Sequence, residues 1–291
     1  MKESMGKRFR ALVREAPPLQ VLGVINAYAA MLAETAGAQA LYLSGAGVAN
    51  ASYGIPDLGM TGLRDVMDDV WRVTDATSLP LLVDIDTGWG HVFNLARTIK
   101  HMERAGVAAV HLEDQRTAKR CGHRPNKAIV SMKEMGDRVK ACVDARQDPE
   151  FVIMARTDAY AVEGLQSALD RAAYCLELGA DMIFPEALTS LDEYQQFTRH
   201  CRAPVLANMT EFGKTSLFTR EDLKRVGVGL ILYPLSAFRA MAHAALDVYQ
   251  TIIQKGTQAS CLSQMQTRDA LYAVLKYHDF EKQLDAFKGS H

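Results

Sequence analysis

Residues 81–114 read LLVDIDTGWGHVFNLARTIKHMERAGVAAVHLED, and this stretch decides the fold class. Its two ends, Leu81–Asp84 and Ala108–Glu113, are short apolar runs of the kind that form buried strands. Between them, Val92–Ala105 has the spacing of an amphipathic helix, and Gly106 follows it as a common helix stop. This succession predicts a parallel strand–helix–strand unit.

The same alternation runs through most of the 291 residues. The predicted strands are Val21–Ile25, Ala40–Ser44, Leu81–Asp84, Ala108–Glu113, Phe151–Ala155, Met182–Pro185, Val205–Ala207 and Gly229–Tyr233. The predicted helices between them are Ala27–Ala36, Leu63–Thr74, Val92–Ala105, Lys133–Ala145, Gly164–Leu178 and Leu188–His200. Eight strands that alternate with helices predict a (β/α)8 TIM barrel. The competing fold, a doubly wound open sheet, lacks its GxGxxG fingerprint after the first strand.

No repeat or linker divides the chain, so we expect one barrel domain over residues 1–291, with residues 236–291 as a C-terminal helical extension. Ser236–Ile253 and Ser263–Phe287 both have helical patterns. An extension of this length is expected to pack against a neighbouring subunit or to be exchanged with it.

Composition narrows the class of protein. A hydrophobic content of 48% is enough for a full core, and a net charge of −1 gives no electrostatic basis for binding nucleic acid or an anionic membrane. No apolar run approaches the ~18 residues of a membrane span. The five cysteines are spread widely without a CxxC pair. We therefore expect a reduced, cytoplasmic enzyme.

Polar residues collect at the carboxyl ends of the predicted strands, which is where TIM barrels place their active sites. They are Ser44-Gly45-Ala46-Gly47, Asp84-Ile85-Asp86, Glu113-Asp114, Arg156, Glu186, Asn208 and Tyr233. The strands themselves are mainly apolar. This contrast predicts an active site at that edge of the barrel.

Asp84 and Asp86 are two residues apart in extended backbone, so their carboxylates point to the same side. Two such charges repel unless a cation or a proton lies between them. Ligation by oxygen alone favours Mg²⁺, with Mn²⁺ as the alternative, and Asp57 and Glu113 are candidates for holding metal-bound waters. The structural alternative is that these aspartates cap helices, as Asp86 could before Thr87-Gly88.

Arginine is the side chain whose donors match a carboxylate in two places, so Arg156 and Arg239 are candidates for binding an acidic substrate. The alternatives are an ion pair of Arg156 with Asp158 or Glu186, and a surface helix position for Arg239. The Ser44–Gly47 turn offers backbone N–H groups to an anion, and Asn208 with Thr210 can add neutral hydrogen bonds.

The run Lys119-Arg120-Cys121-Gly122-His123 follows the acidic end of a predicted strand. Its cationic side chains are expected to lower the pKa of the Cys121 thiol, and its polar composition predicts a mobile catalytic loop. Cys142 and Cys175, on helix faces, are expected to be buried and inert. His111, inside a strand, is expected to be an interior or rim histidine with its hydrogen bonds satisfied.

This run resembles the signature loop of the isocitrate lyase and phosphoenolpyruvate mutase superfamily. In its longer form, KRCGHRPNKAIVS over residues 119–131, it is similar to the branch that cleaves 2-methylisocitrate. The likeness covers nearly the whole chain and includes GIPDLGM, LLVDIDTGWG, HLEDQ and LANMTEFGKT. It implies a lyase that forms pyruvate and succinate in the methylcitrate cycle of propionate catabolism. It also implies Mg²⁺ and a homotetramer that exchanges a C-terminal helix.

The resemblance also implies roles for particular residues. Asp84 and Asp86 match metal ligands, Asp57 and Glu113 match acids that hold metal waters, and Cys121 matches the catalytic acid, with Lys119 and His123 setting its acidity. Substrate contacts are implied for Ser44, Gly45, Ala46, Gly122, Arg156, Glu186, Asn208, Met209, Thr210, Glu211, Arg239 and Arg268. Ala46 departs from the common SGG form of the turn.

Two alternatives stay open from the sequence. One is isocitrate lyase activity, because the two substrates differ by one methyl group, usually worth ~1–3 kcal/mol of discrimination. The other is a non-catalytic barrel that carries Cys121 as a reactive thiol. The base that removes the hydroxyl proton is also open among Asp57, Glu113 and Tyr42.

Overall fold

The computed structural model describes residues 4–117, 119–120, 122 and 127–288, so Cys121 and His123 lie outside the described residues. Within these ranges the parallel strands are β1 (Leu19–Val24), β2 (Ala40–Leu43), β3 (Leu81–Asp84), β4 (Ala109–Glu113), β5 (Val152–Thr157), β6 (Met182–Pro185), β7 (Leu206–Asn208) and β8 (Leu230–Tyr233). They pair in the order β6-β5-β4-β3-β2-β1-β8-β7, and a bridge between Ile183 and Val205 brings β6 against β7. The predicted TIM barrel is confirmed.

The helices around the barrel are α1 (Met5–Glu15), α2 (Ala27–Thr35), α3 (Gly45–Gly47), α4 (Leu63–Ala76), α5 (Val92–Arg104), α6 (Met132–Ala145), α7 (Tyr160–Glu163), α8 (Leu165–Glu177), α9 (Leu191–His200), α10 (Arg220–Arg225), α11 (Ser236–Lys255), α12 (Arg268–Leu275) and α13 (Tyr277–Lys288). The sequence did not predict α1, α3, α7 or α10. The predicted helix Ser263–Phe287 is instead two helices, because Lys276 adopts a left-handed φ of 53° between α12 and α13.

Strand register brings the polar strand ends together. Glu113 of β4 pairs with Arg156 of β5, and Asp84 of β3 pairs with His111 of β4. β5 extends to Thr157, so Arg156 belongs to the strand and does not follow it. Neighbouring strands therefore present an acid beside a base at the carboxyl edge of the barrel.

The inside of the barrel is apolar toward its amino end. Leu82, Met154 and Leu206 belong to one buried cluster there, and Phe9 and Val13 of α1 belong to the same cluster. Helix α1 thus covers the amino end of the barrel, and the polar edge is at the opposite end. A separate apolar layer lies between the strands and the surrounding helices.

The C-terminal extension packs differently from the rest of the chain. Helix α11, residues 236–255, has no buried residue, and it exposes Tyr249 and Ile253. Among the described residues, no helix is long and apolar enough to cross a membrane.

Truncation of Phe9 tests the role of α1. Because Phe9 is 0% exposed in the barrel core, Phe9→Ala should lower the free energy of unfolding in urea by about 3–5 kcal/mol. Phe93→Ala, at a side chain that is 80% exposed, is the matched control and should change it by less than about 0.5 kcal/mol. Equal stability of the two variants would contradict a core position for α1.

Candidate active site

The turn after β2 brings backbone close to two carboxylates. The N–H of Gly45 donates to Asp84 Oδ2 at 3.1 Å. A Cβ on Gly45 would lie 3.1 Å from Asp86 Oδ1 and 3.2 Å from Asp84 Oδ2. Both carboxylates therefore border one small space above Gly45, and a glycine there keeps that space open.

The backbone of Asp86 directs its side chain into this space. Asp86 has a left-handed φ of 49°, and its N–H donates to Asp84 Oδ1 at 3.0 Å. The helix-cap alternative is wrong, because α5 begins after His91 and the Asp86 carboxylate instead accepts from Trp89 Nε1 at 3.3 Å. The two aspartates converge, but the predicted reason is wrong, because Asp86 lies beyond β3 and has left-handed and not extended backbone.

The protein environment separates the acidities of the two aspartates. Burial raises the pKa of Asp86 to about 6, with the neighbouring Asp84 charge adding to this effect. Burial acts in the same direction on Asp84, but His111, Lys119 and Arg156 outweigh it and lower its pKa to about 2. Asp84 is therefore the stronger acid of the pair.

His111 is an interior residue, as predicted, with no exposed surface. Its Nε2 lies 2.9 Å from the hydroxyl of Tyr42, which in turn lies 3.4 Å from Asp84 Oδ2. Burial lowers the pKa of His111 to about 4, so the ring is neutral near pH 7.

Lys119 places its ammonium among the acids of the site. Its Nζ lies 2.6 Å from Asp57 Oδ1 and 2.5 Å from Asp86 Oδ1. Burial opposes the charge, but Asp86, Glu113 and Asp84 outweigh burial and raise the pKa of Lys119, so the ammonium is retained. The predicted effect of this charge on the Cys121 thiol stays a prediction, since Cys121 is outside the described residues.

Arg156 is surrounded by three carboxylates. Its Nε lies 3.3 Å from Glu113 and 3.1 Å from Asp158, its Nη2 lies 3.2 Å from Glu186, and its guanidinium carbon lies 5.1 Å from the centre of the Phe184 ring. Both ion pairs that the sequence left open as alternatives are present. The same guanidinium also lines the cavity at the barrel mouth.

Gly122 packs directly on this cluster. A Cβ at position 122 would lie 2.6 Å from Arg156 Nη2 and 2.6 Å from the Glu186 carboxyl carbon. The loop therefore reaches Arg156 only because residue 122 has no side chain.

These groups line a cavity of about 80 Å³ at the carboxyl ends of the strands. The predicted site residues that line it are Ser44, Ala46, Asp57, Asp84, Lys119, Gly122, Arg156, Glu186, Asn208, Thr210 and Arg239. Residues without a predicted role also line it, namely Phe184, Leu232, Pro234 and Leu235, together with Arg120 of the cationic run and Tyr42, a candidate base. Most of the predicted residues thus share one cavity.

The cavity lining does not include Gly45, Asp86, Glu113, Glu211, Met209 or Arg268, and Arg239 combines two of the roles that the sequence left open. The Met209 side chain packs in the apolar layer outside the strands. Arg268 is exposed at the start of α12 and does not line the cavity within this chain. Arg239, on α11, lines the cavity while its Nε lies 3.6 Å from Glu211 Oε2, so it is both a helix residue and a cavity residue.

Sequence reasoning missed one charged residue next to the site, Lys127, and gave Asp158 only as an ion-pair partner of Arg156. Lys127 Nζ lies 2.5 Å from Asp158 Oδ1 and donates to the Gly122 carbonyl at 2.6 Å. Nothing in the sequence distinguishes Lys127 from a surface lysine.

The donor chemistry of the site suits a hard cation. The groups around Gly45 are carboxylate oxygens, and the described part of the chain holds no cluster of three His, Cys, Asp or Glu side chains arranged around one point. Mg²⁺ is commonly bound by one or two carboxylates while it keeps several waters. Asp84 and Asp86 fit that mode of binding.

Comparison with known proteins identifies the family. A family model described as phosphoenolpyruvate phosphomutase matches residues 9–253. The 2-methylisocitrate lyase of Vibrio cholerae is 61% identical, over 98% of this chain and 94% of that protein. The chain belongs to the 2-methylisocitrate lyase family. The resemblance of its signature loop is thereby confirmed.

Solved structures of the wider superfamily share the whole fold with this member of the family. A 2,3-dimethylmalate lyase, a member of the PEP mutase/isocitrate lyase superfamily, superposes with a TM-score of 0.91 at 30% identity, over 99% of this chain and 97% of its own. A phosphonopyruvate hydrolase in complex with oxalate and Mg²⁺ superposes with a TM-score of 0.84 at 25% identity, over 96% and 98%.

The space above Gly45 can be tested by filling it. Gly45→Ala places a methyl group against both aspartates and should weaken Mg²⁺ binding by about 10-fold or more, measured by isothermal titration calorimetry. Gly62→Ala, where the nearest atom would be 3.8 Å away, is the control and should bind as the unmodified protein does. Unchanged affinity in Gly45→Ala would place the ion elsewhere.

Proposed function

We propose that this protein cleaves 2-methylisocitrate to pyruvate and succinate. The observation that carries the proposal is the 61% identity to a 2-methylisocitrate lyase over 98% of the chain. The geometry supports it, since Asp84 and Arg156 line one small cavity, Lys119 lies 2.5 Å from Asp86, and Gly122 packs on Arg156.

Asp84 and Asp86 are assigned to hold one divalent cation, Mg²⁺ or alternatively Mn²⁺, with Asp57 and Glu113 acting through water. The assignment is supported by the convergence of the two carboxylates at Gly45 and by the Mg²⁺ in the related phosphonopyruvate hydrolase. When bound, such an ion stabilises negative charge on a substrate oxygen.

The substrate carboxylates require donors, and the cavity provides several. Arg156 supplies a forked guanidinium, and Asn208, Thr210 and Arg239 add further donors around it. Because Glu113, Asp158 and Glu186 surround Arg156, its orientation is fixed before any substrate arrives. This arrangement favours binding of a polycarboxylate in one orientation.

The reaction breaks the bond between C2 and C3 of the substrate. The C2 hydroxyl proton passes to a base, C2 becomes the carbonyl carbon of pyruvate, and the bonding electrons leave with the succinate half. A proton delivered to C3 then completes succinate. We assign that proton to Cys121, with Lys119 and His123 setting its acidity. The candidates for the base are Asp57, Glu113 and Tyr42, and burial raises the pKa of Glu113 well above its usual value.

The size of the cavity bears on how substrate enters. A free space of about 80 Å³ is too small for a tricarboxylate, and Lys119 and Gly122 form part of its lining. We infer that these residues withdraw to admit substrate and return before the bond breaks. Their return excludes water from the succinate carbanion.

The lining of the cavity includes apolar side chains, namely Phe184, Leu232 and Pro234. We assign these side chains to contact the methyl group that 2-methylisocitrate has and isocitrate lacks. A buried methyl group is worth ~1–3 kcal/mol, which is about 10- to 200-fold in kcat/KM. The lining therefore favours 2-methylisocitrate over isocitrate.

The direct test is product release from both acids. Pyruvate formation from 2-methylisocitrate should exceed glyoxylate formation from isocitrate by at least about 10-fold in kcat/KM. Both activities should disappear on exhaustive chelation, return with Mg²⁺, and be absent in Asp86→Ala. A preference for isocitrate would contradict the substrate assignment, and activity that survives chelation would contradict the metal assignment.

Substitution of Cys121 tests the catalytic acid. Cys121→Ser should lower kcat by about 100-fold or more, because a serine hydroxyl is a far weaker acid than a thiol. Substrate binding, measured by calorimetry, should be retained. Cys142→Ala is the control, since burial raises the pKa of that thiol to about 12 and it lies in the core. Near-normal turnover by Cys121→Ser would contradict the assignment.

We also propose that the protein is a homotetramer that exchanges C-terminal helices. Supporting observations are the unburied helix α11 and an apolar groove of about 540 Å³ lined by residues such as Leu22, Leu32 and Met241.

Analytical ultracentrifugation tests this arrangement. It should show a species of four chain masses, and Ile253→Glu, at a residue that is 85% exposed in the single chain, should shift it to smaller species. Lys255→Glu, which alters charge at the end of the same helix, is the control. A monomer at all concentrations would contradict the proposal.

A further inference from the structure

Buried side chains hold the peptide groups on both sides of position 121. On one side, Gln115 uses both atoms of its amide on Arg120: Oε1 accepts from the Arg120 N–H at 3.0 Å, and Nε2 donates to the Arg120 carbonyl at 2.9 Å. Gln115 is only 1% exposed, whereas the Arg120 side chain is exposed. The contact is therefore specific for the backbone of residue 120.

On the other side, Lys127 holds Gly122. Its Nζ donates to the Gly122 carbonyl at 2.6 Å and lies 2.5 Å from Asp158 Oδ1. The Lys127 and Asp158 side chains are 2% and 0% exposed, and Asp158 Oδ2 lies 3.1 Å from Arg156 Nε. One carboxylate thus connects the lysine that holds Gly122 to the arginine at the centre of the site.

These contacts are not needed to close the base of the loop. Its two ends already pair as antiparallel backbone, with a bridge between Gln115 and Ile129 and a hydrogen bond of 2.8 Å from the Val130 N–H to the Asp114 carbonyl. The Gln115 amide and the Lys127 ammonium act further along the loop, on residues 120 and 122. Their bonds therefore set where these two residues lie relative to Arg156.

We propose that Gln115 and Lys127 are positioning residues, which fix the backbone on either side of Cys121 with respect to Arg156. The inference rests on the proposed function for the role of Cys121. Because a misplacement of about 1 Å at a reacting group can cost about 100-fold in rate, loss of either contact should slow the chemistry. Most of the donors assigned to substrate, such as Asn208, Thr210 and Arg239, lie outside the loop, so substrate binding should be affected much less.

The kinetic test compares Gln115→Met and Lys127→Met with two matched surface controls, Gln166→Met and Lys133→Met. The controls remove a glutamine and a lysine that make only exposed contacts, with Asp170 and Asp137. Each positioning variant should lower kcat by about 100-fold while KM for 2-methylisocitrate stays within about threefold. The controls should match the unmodified enzyme in both constants.

Hydrogen exchange provides a readout that does not depend on activity. Gln115→Met removes the acceptor of the Arg120 N–H, so the peptide spanning residues 115–127 should exchange faster, while peptides from the barrel strands keep their rates. Lys127→Met removes the ion-pair partner of the buried Asp158 carboxylate, so this variant can be less stable. If it does not fold, Gln115→Met alone tests the proposal, because Gln115 contacts the backbone of the exposed residue Arg120.

The outcomes separate the two proposals. Faster exchange over residues 115–127 together with the kcat loss supports the positioning role. Unchanged exchange, or a kcat within about threefold of the controls, would overturn it. If the unmodified protein releases no pyruvate from 2-methylisocitrate, the proposed function fails, and exchange over residues 115–127 alone then decides whether these side chains hold the loop.

Discussion

Buried carboxylates outnumber buried cationic side chains at the mouth of this barrel, and this imbalance determines how the charged groups of the site are arranged. The buried acids are Asp84, Asp86, Glu113, Asp158 and Glu186, and the buried bases that face them are Lys119, Lys127 and Arg156. A buried charge without a partner costs several kcal/mol, so each cationic side chain must interact with more than one group. Lys119 therefore lies between two aspartates, and Arg156 lies among three carboxylates. No one of these side chains can be moved without disturbing the others.

The barrel makes this concentration of charge possible. Helix α1 covers the amino end and fills it with apolar side chains such as Phe9, so polar groups are confined to the carboxyl edge. Strand register then fixes which of them are neighbours, as in the pairing of Glu113 with Arg156. The positions of the charges are thus set by backbone pairing, and their interactions follow.

Much of the fold and of the candidate site could be predicted from the sequence, and the residues that were misplaced or missed have physical reasons. Strands and the polar edge were predictable because apolar runs and the residues that end them are local features. Met209 was placed at the site by resemblance, but it follows Asn208, and successive side chains of a strand point to opposite faces. Its side chain therefore lies in the outer apolar layer. Lys127 was missed because its pairing with Asp158 joins residues 31 apart in the chain, which no local pattern records.

The way Gln115 holds residue 120 has a consequence for sequence change. Its amide bonds to peptide atoms that every amino acid other than proline possesses, so evolution can exchange the side chain of residue 120 and leave the contact intact. Position 122 does not tolerate a side chain, because even a Cβ atom there would lie too close to Arg156. The Gln115 contact therefore excludes only proline at residue 120, whose own side chain lines the cavity, whereas close packing keeps position 122 glycine.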